Sequence, residues 1–157
     1  MIRLFFCHVL HSASAENLAN TRAHHAFIDY AKRGLDHNVA VGRYVLMPDH
    51  THFFVAGDHE FDLGMWVRGL KRVVAAAVAG GRGGKDPAAE TAAATSFSAL
   101  GKLQPFWQRG FFDHLIRNTE SYAQKWDYVR ENPVRAGLVS TAEKWKYQGE
   151  IVEIDHA

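Results

Sequence analysis

The chain reads as an α+β protein, a ferredoxin-like antiparallel sheet with helices packed on one face. Three observations predict it. Extended runs alternate with helical patterns in the order strand, helix, two strands, helix, strand, helix. Only Pro48-Asp49 separates the two central extended runs, so they can pair antiparallel. At 157 residues the chain has the length of one domain that buries a single core.

Leu4 to Leu10 is rich in aromatic and β-branched residues and predicts the first strand. With Met1-Ile2-Arg3 before it and Ser12-Ala13-Ser14-Ala15 after it, the same run imitates a secretory signal peptide. Its apolar core is short and is broken by His8, which favours the strand. A helix is expected from Ser14 or Ala15 to Arg33, where Ala23, Ala26, Phe27 and Tyr30 follow helical spacing and Gly34 supplies a stop. Val39 to Met47 and His50 to Val55 form the strand pair, ended by Gly57-Asp58. Asp62 caps a second helix to about Ala79, with Met65, Trp66, Leu70, Val73 and Val74 as its core side.

Between about 80 and 101 the composition turns to Gly, Ala, Ser and Thr, which predicts a flexible insert within a single domain spanning 1–157. Asp113 to Arg117 is a further strand. Asn118 or Thr119 caps a last helix, which ends near Asn132 because Pro133 disfavours helical geometry in the residue before it. Trp145 and Tyr147 are expected to pack back on the domain.

The 47% hydrophobic and 22% charged fractions are those of an ordinary globular protein. A net charge of +1 announces no overall basic character, so any nucleic-acid surface must be local. One cysteine, Cys7, cannot form an internal disulfide, which suits a reducing, cytoplasmic compartment. No stretch approaches the ~20 apolar residues of a membrane span.

Two stretches carry chemistry. In Pro48-Asp49-His50-Thr51-His52-Phe53, strand alternation points both imidazoles to one face and Thr51 to the other. Two such nitrogens can share a divalent cation, though H-x-H alone equally describes a pair of hydrogen-bonded strand histidines. An amidohydrolase barrel also uses H-x-H on a strand but needs ~250 residues. A histidine-triad hydrolase would want a third histidine where Phe54 stands.

The second stretch is Tyr128-Val129-Arg130-Glu131-Asn132-Pro133. Tyr122, Trp126 and Val129 make the apolar stripe of the last helix, whereas Tyr128 shares a polar face with Ser121, Lys125 and Asn132. The i, i+4 spacing sets the Asn132 amide one turn from the phenol, so the amide can complete a metal site while the phenol faces a phosphate. Tyr128 is also open to a plainer reading as a partly exposed packing residue. A phenol, with a reference pKa of ~10, is a poor nucleophile at neutral pH and profits from a cation that polarises its target.

Taken together, the chain resembles the REP-associated tyrosine transposases, within the HUH single-tyrosine transposase superfamily. The resemblance runs through Tyr44-Val45-Leu46-Met47-Pro48-Asp49-His50-Thr51-His52, then Phe106-Trp107-Gln108-Arg109-Gly110-Phe111-Phe112-Asp113-His114, then Tyr128-Val129-Arg130-Glu131-Asn132-Pro133-Val134-Arg135-Ala136-Gly137-Leu138-Val139. It implies a ferredoxin-like fold that binds single-stranded or hairpin DNA. His50, His52 and Asn132 would be ligands of Mg2+ or Mn2+, and Tyr128 the nucleophile that forms a 5′-phosphotyrosine link. The link conserves the phosphodiester energy, so rejoining needs no ATP. It also leaves open a monomer or a homodimer that exchanges the tyrosine helix. One departure is Thr51, where the family usually has a bulky hydrophobic residue; a β-branched side chain still fits a strand.

Arg68, Lys71 and Arg72 form a local basic stripe on the second helix, readable as phosphate contacts or as a solvated face. Trp107 and Arg109 can stack on or clamp an unpaired base, and Trp107 equally suits the core. Lys125, Arg130 and Arg135 flank the tyrosine and can hold a DNA backbone. Two other function classes remain beside the DNA-cleaving enzyme: a domesticated DNA-hairpin binder with little or no cleavage, and a phosphodiesterase of small molecules.

Overall fold

The computed structural model describes residues 1–12, 17–80 and 106–154. Five strands form one antiparallel sheet: β1 (Arg3–Leu10), β2 (Ala40–Leu46), β3 (His50–Gly57), β4 (Phe112–Ile116) and β5 (Gln148–Glu150). The helices are α1 (Thr21–Gly34), α2 (Leu63–Ala79), α3 (Thr119–Arg130) and the single turn α4 (Asn132–Arg135). Their spatial order, β4-β1-β3-β2-β5, contains the ferredoxin-like arrangement in its first four members. The expected α+β class and ferredoxin-like sheet therefore stand.

β1 lies between β4 and β3, so the run that imitates a signal peptide is an internal strand. Its alternation is two-sided. Cys7 and Val9 are buried with α1 and α2, while Leu4 and Phe6 join clusters on the other face. β3 is buried along nearly its whole length for the same reason, since both of its faces are covered.

α1 and α2 cover one face, as expected, through Ala23, Phe27, Ala31, Trp66, Val67, Leu70, Val74 and Val78. α3 differs and packs on the opposite face, where Tyr122 lies 4.0 Å from Phe54 between ring centroids and Val129 meets Val45 and Met47. The apolar side chains at both parities of β1 and β3 leave two faces to cover. The helix expectations need three corrections. α1 starts at Thr21 because Asn17 and Asn20 bend the chain with side-chain hydrogen bonds, and the Asn20 carboxamide accepts from the Ala23 N–H. Met65 is 67% exposed in the first turn of α2, whose buried stripe runs from Trp66 and Val67 instead. α3 stops at Arg130, and Pro133 sits in the first turn of a new helix, where its missing N–H does no harm.

β2 carries a bulge, since Val41 faces Val55 while Tyr44 faces Phe53. The extra residue lets Val41 and Tyr44, three apart, both enter the α1–α2 core. Gly42 sits within this shift, and a Cβ there would come 2.9 Å from Ile154 Cδ1. The tail behaves as expected: the Trp145 indole donates to the Leu46 carbonyl, and the Leu46 N–H donates to Tyr147. The segment expected as an insert at about 80–101 lies, beyond Gly80, outside the described residues.

Candidate metal and DNA site

The β2–β3 turn is tied down at several points. The Met47 N–H donates to the His50 carbonyl at 2.8 Å, His11 N–H to Asp49 O at 2.7 Å, and Leu18 N–H to Pro48 O at 3.0 Å. His50 and His52 then project from one face of β3, as strand alternation requires. Thr51 points to the other, 2% exposed, and its hydroxyl donates to the Val45 carbonyl at 3.2 Å. Threonine between the histidines is thus satisfied in place.

A third imidazole joins them. His8 faces His52 directly across the β1–β3 ladder. Potential ligand atoms of His8, His50 and His52 all lie within 4.8 Å of one another, a group that can hold a metal ion. The rings are close, with centroids 4.3 Å apart for His8–His52 and 4.8 Å for His50–His52. The Nδ1 of His50 bonds Asp49 Oδ1 at 2.6 Å, which leaves the opposite ring nitrogen for another task. His52 Nδ1 and His8 Nε2 are buried without a hydrogen-bond partner among the described residues.

Burial pushes the pKa of His52 down to about 3, with the charges of His8, His50 and Arg135 adding to the shift. His8 moves the same way through burial and His50, partly offset by Asp49. Neutral imidazoles are the form that binds a cation. The sequence reading missed His8 because it weighed the histidine only as a break in an apolar run. Its parity with Leu4 and Phe6 places it on that face of β1, but only the register of β1 against β3 brings it opposite His52.

α3 sets the tyrosine on this same face of the sheet. Its buried side, Tyr122 and Val129, seats the helix, and Tyr128 is 67% exposed. Arg135 joins the pieces. Its guanidinium lies 4.2 Å from the Tyr128 ring centroid, donates to the Tyr128 carbonyl at 2.6 Å, and donates to Asn132 Oδ1. The charge of Arg135 also adds to the lowering of the His52 pKa, so the clamp lies within electrostatic reach of that imidazole. An amide oxygen has two lone pairs, so Asn132 keeps one acceptor site beyond this bond.

The other residues divide. Lys125 lies over the Phe6 ring at 5.2 Å, and Phe6 stacks on His52 at 5.3 Å, so Lys125 borders the imidazoles. Arg130 pairs with Glu143 at 3.1 Å and with Glu131 at 3.6 Å. Arg68 and Arg72 are exposed on α2, which packs on the opposite face of the sheet. Lys71 instead donates to the carbonyls of Gln108 and Gly110, and the Trp107 indole donates to the Lys71 carbonyl at 2.8 Å. Arg109 is exposed on that same segment. Phe112, 66% exposed, pairs with His8 across the β1–β4 ladder and extends the site face with an aromatic ring.

Fold and site thus define a ferredoxin-like α+β protein with a potential metal group on its sheet and an exposed tyrosine helix above the same face. No protein-family model matches the chain. Curated relatives do. A REP-associated tyrosine transposase of Haemophilus influenzae is 44% identical over 41 residues, 26% of this chain and 23% of the relative. Another of Escherichia coli is 40% identical over 45 residues, 29% of this chain and 27% of the relative. The matched part spans about a quarter of the length of those relatives. A solved structure of a REP-associated tyrosine transposase bound to a REP hairpin is 21% identical with a TM-score of 0.65, over 98% of this chain and 90% of that chain. The resemblance read from the sequence is borne out, in sequence by the relatives and in fold by the solved structure.

Proposed function

We propose that the protein is a metal-dependent DNA transposase that nicks and rejoins single-stranded or hairpin DNA through a 5′-phosphotyrosine on Tyr128. One observation carries the reading. The face of the sheet that bears the imidazole cluster also seats the helix that presents Tyr128, and Arg135 clamps Tyr128 to Asn132. The relatives' names and the hairpin bound by the structural neighbour support DNA as the substrate. A packing tyrosine on a solvated helix face would need neither the clamp nor an imidazole cluster on the same face of the sheet.

His50 and His52, with Asn132, would hold a divalent cation, and the unpartnered ring nitrogen of His52 fits that role. Such an ion supplies charge neutralisation at the scissile phosphate. Tyr128 Oη attacks phosphorus, the bond to the 3′-oxygen breaks, and the phenolic proton ends on the released 3′-hydroxyl. Reversal with a different 3′-hydroxyl rejoins the strand and frees the tyrosine. Arg135 orients the nucleophile, and Lys125 and Arg130 hold backbone phosphates beside it. Phe112 offers a face for an unpaired base. Both a monomer and a homodimer that exchanges the tyrosine helix fit this set of groups. No helix among the described residues is long and apolar enough to cross a membrane, and a cytoplasmic place beside DNA fits the single buried cysteine.

The test is incubation of the chain with end-labelled, hairpin-bearing single-stranded DNA and Mn2+. A covalent adduct is expected, absent from Tyr128→Phe although that variant still retards the hairpin. Tight binding without adduct across divalent metals and substrates would leave a hairpin-binding protein in its place.

A further inference from the structure

We propose that His8 is a third imidazole ligand, making the cluster a three-nitrogen site that prefers late first-row transition ions, Zn2+ and Co2+, to Mg2+. The proposal rests on reading the cluster as the metal site of the function above, and it names the ion class that the site selects. It also departs from the Mg2+ or Mn2+ that the family resemblance implies.

The geometry is specific to β1. An antiparallel ladder sets directly opposed residues on one face, and His8 and His52 are such a pair, 4.3 Å apart between ring centroids. His50 closes the triangle, 5.0 Å from His8. Nitrogens that share one tetrahedral ion at about 2.0–2.1 Å lie about 3.4 Å apart, so modest turns of the rings close a set already within 4.8 Å.

The polar balance points the same way. His8 Nε2 and His52 Nδ1 are buried and meet no donor or acceptor among the described residues. A buried polar atom left unmet is destabilising, whereas a coordinated one is not. Asp49 holds the Nδ1 side of His50 and so fixes the orientation of that ring, as carboxylates behind metal-bound histidines do. Mg2+ prefers an octahedron of oxygens and sheds water reluctantly, which a face of three imidazoles does not satisfy. Imidazole suits zinc, copper, iron and nickel, and affinity rises along the first row toward them. Asn132, already accepting from Arg135, is not needed to complete this set.

The metal-free full chain is titrated with Co2+, read by its visible ligand-field absorption, and then challenged with Zn2+ or Mg2+. Stoichiometric Zn2+ is expected to abolish the cobalt spectrum, while a large excess of Mg2+ leaves it. His8→Val and His8→Gln should lower Co2+ affinity by about tenfold or more. In the unsubstituted chain, one equivalent of Zn2+ should move the imidazole nitrogen resonance of His8 together with those of His50 and His52, a readout that needs no variant to fold. A His8 resonance that stays in place, or displacement of Co2+ by equimolar Mg2+, overturns the proposal. If His50→Ala and His52→Ala abolish metal binding while His8→Val does not, the metal site stands and this inference alone falls. If no variant of the three changes binding, both fall.

Discussion

Acid should unfold this protein through His52. The residue is 8% exposed, and burial beside two other imidazoles and Arg135 pushes its pKa down to about 3 from an ordinary 6.5. The unfolded chain therefore takes up the proton first as pH falls below 6.5. Stability contributed by the neutral ring is full above that value and is lost progressively toward pH 3. At pH 5 the gap is about 1.5 units, or about 2 kcal/mol. Burial also lowers the pKa values of His8, His11 and His24, so their contributions have the same sign. The assay is urea unfolding at pH 7 and pH 5 in a chelating buffer, because a bound cation would itself keep the rings neutral. Wild type should lose about 2 kcal/mol more between the two pH values than His52→Gln, whose side chain does not titrate. Equal losses in the two proteins would refute the assignment of the acid sensitivity to this ring.

Three further outcomes are expected. Arg135→Lys keeps the charge but not the fork that grips the Tyr128 carbonyl and Asn132, so adduct formation should slow by about 10–100-fold with hairpin affinity little changed, measured by single-turnover labelling. Lys71→Ala removes two charge-assisted bonds to the 106–110 segment and should cost about 1–3 kcal/mol in thermal or urea melts. The salt dependence of hairpin binding should stay as in wild type; a slope reduced by about one would make Lys71 a phosphate contact instead. Gly42→Ala places a Cβ 2.9 Å from Ile154 Cδ1 and 3.1 Å from Tyr122 Oη, so a loss of about 1–3 kcal/mol is expected in the same melts.

Much of the sheet was legible because its strands announce themselves by residue type. The β2–β3 hairpin followed from Pro48-Asp49, and the α2 start from Asp62, whose carboxylate accepts from the Met65 N–H. β5 was not legible. Gln148-Gly149-Glu150 has no apolar alternation, and it pairs with β2 only because the tail is anchored by Trp145. The start of α1 was misplaced because alanines at 13, 15 and 19 favour helix locally, whereas Asn17 and Asn20 compete for the backbone. Tyr128 was separable from the packing stripe by helical angle alone. His8 was not separable, because only the register of β1 against β3 brings it opposite His52. Arg135 as a clamp was equally hidden, since its partners depend on how α4 turns back on α3.

The two faces of the sheet constrain how the proposed substrate can run. Lys125, Arg135 and Phe112 belong to the imidazole face, whereas Arg68 and Arg72 extend from a helix packed on the other. A strand held at Tyr128 must leave the imidazole face to reach the α2 stripe, and one edge it can pass is that of β4. There the segment from Phe106 pairs with the end of β1, through the His11–Trp107 bridge, and is tied to α2 by Lys71. Arg109 is exposed on that bridge between the faces. A stripe so placed would be met only by a substrate that extends beyond the imidazole face, such as one bearing a hairpin stem, while a short single strand would engage the imidazole face alone. Charge reversal at Arg68 and Arg72 should then weaken a stem-bearing substrate and leave adduct formation on the short strand unchanged. An equal loss on both substrates would place the stripe beside the chemistry and contradict this path.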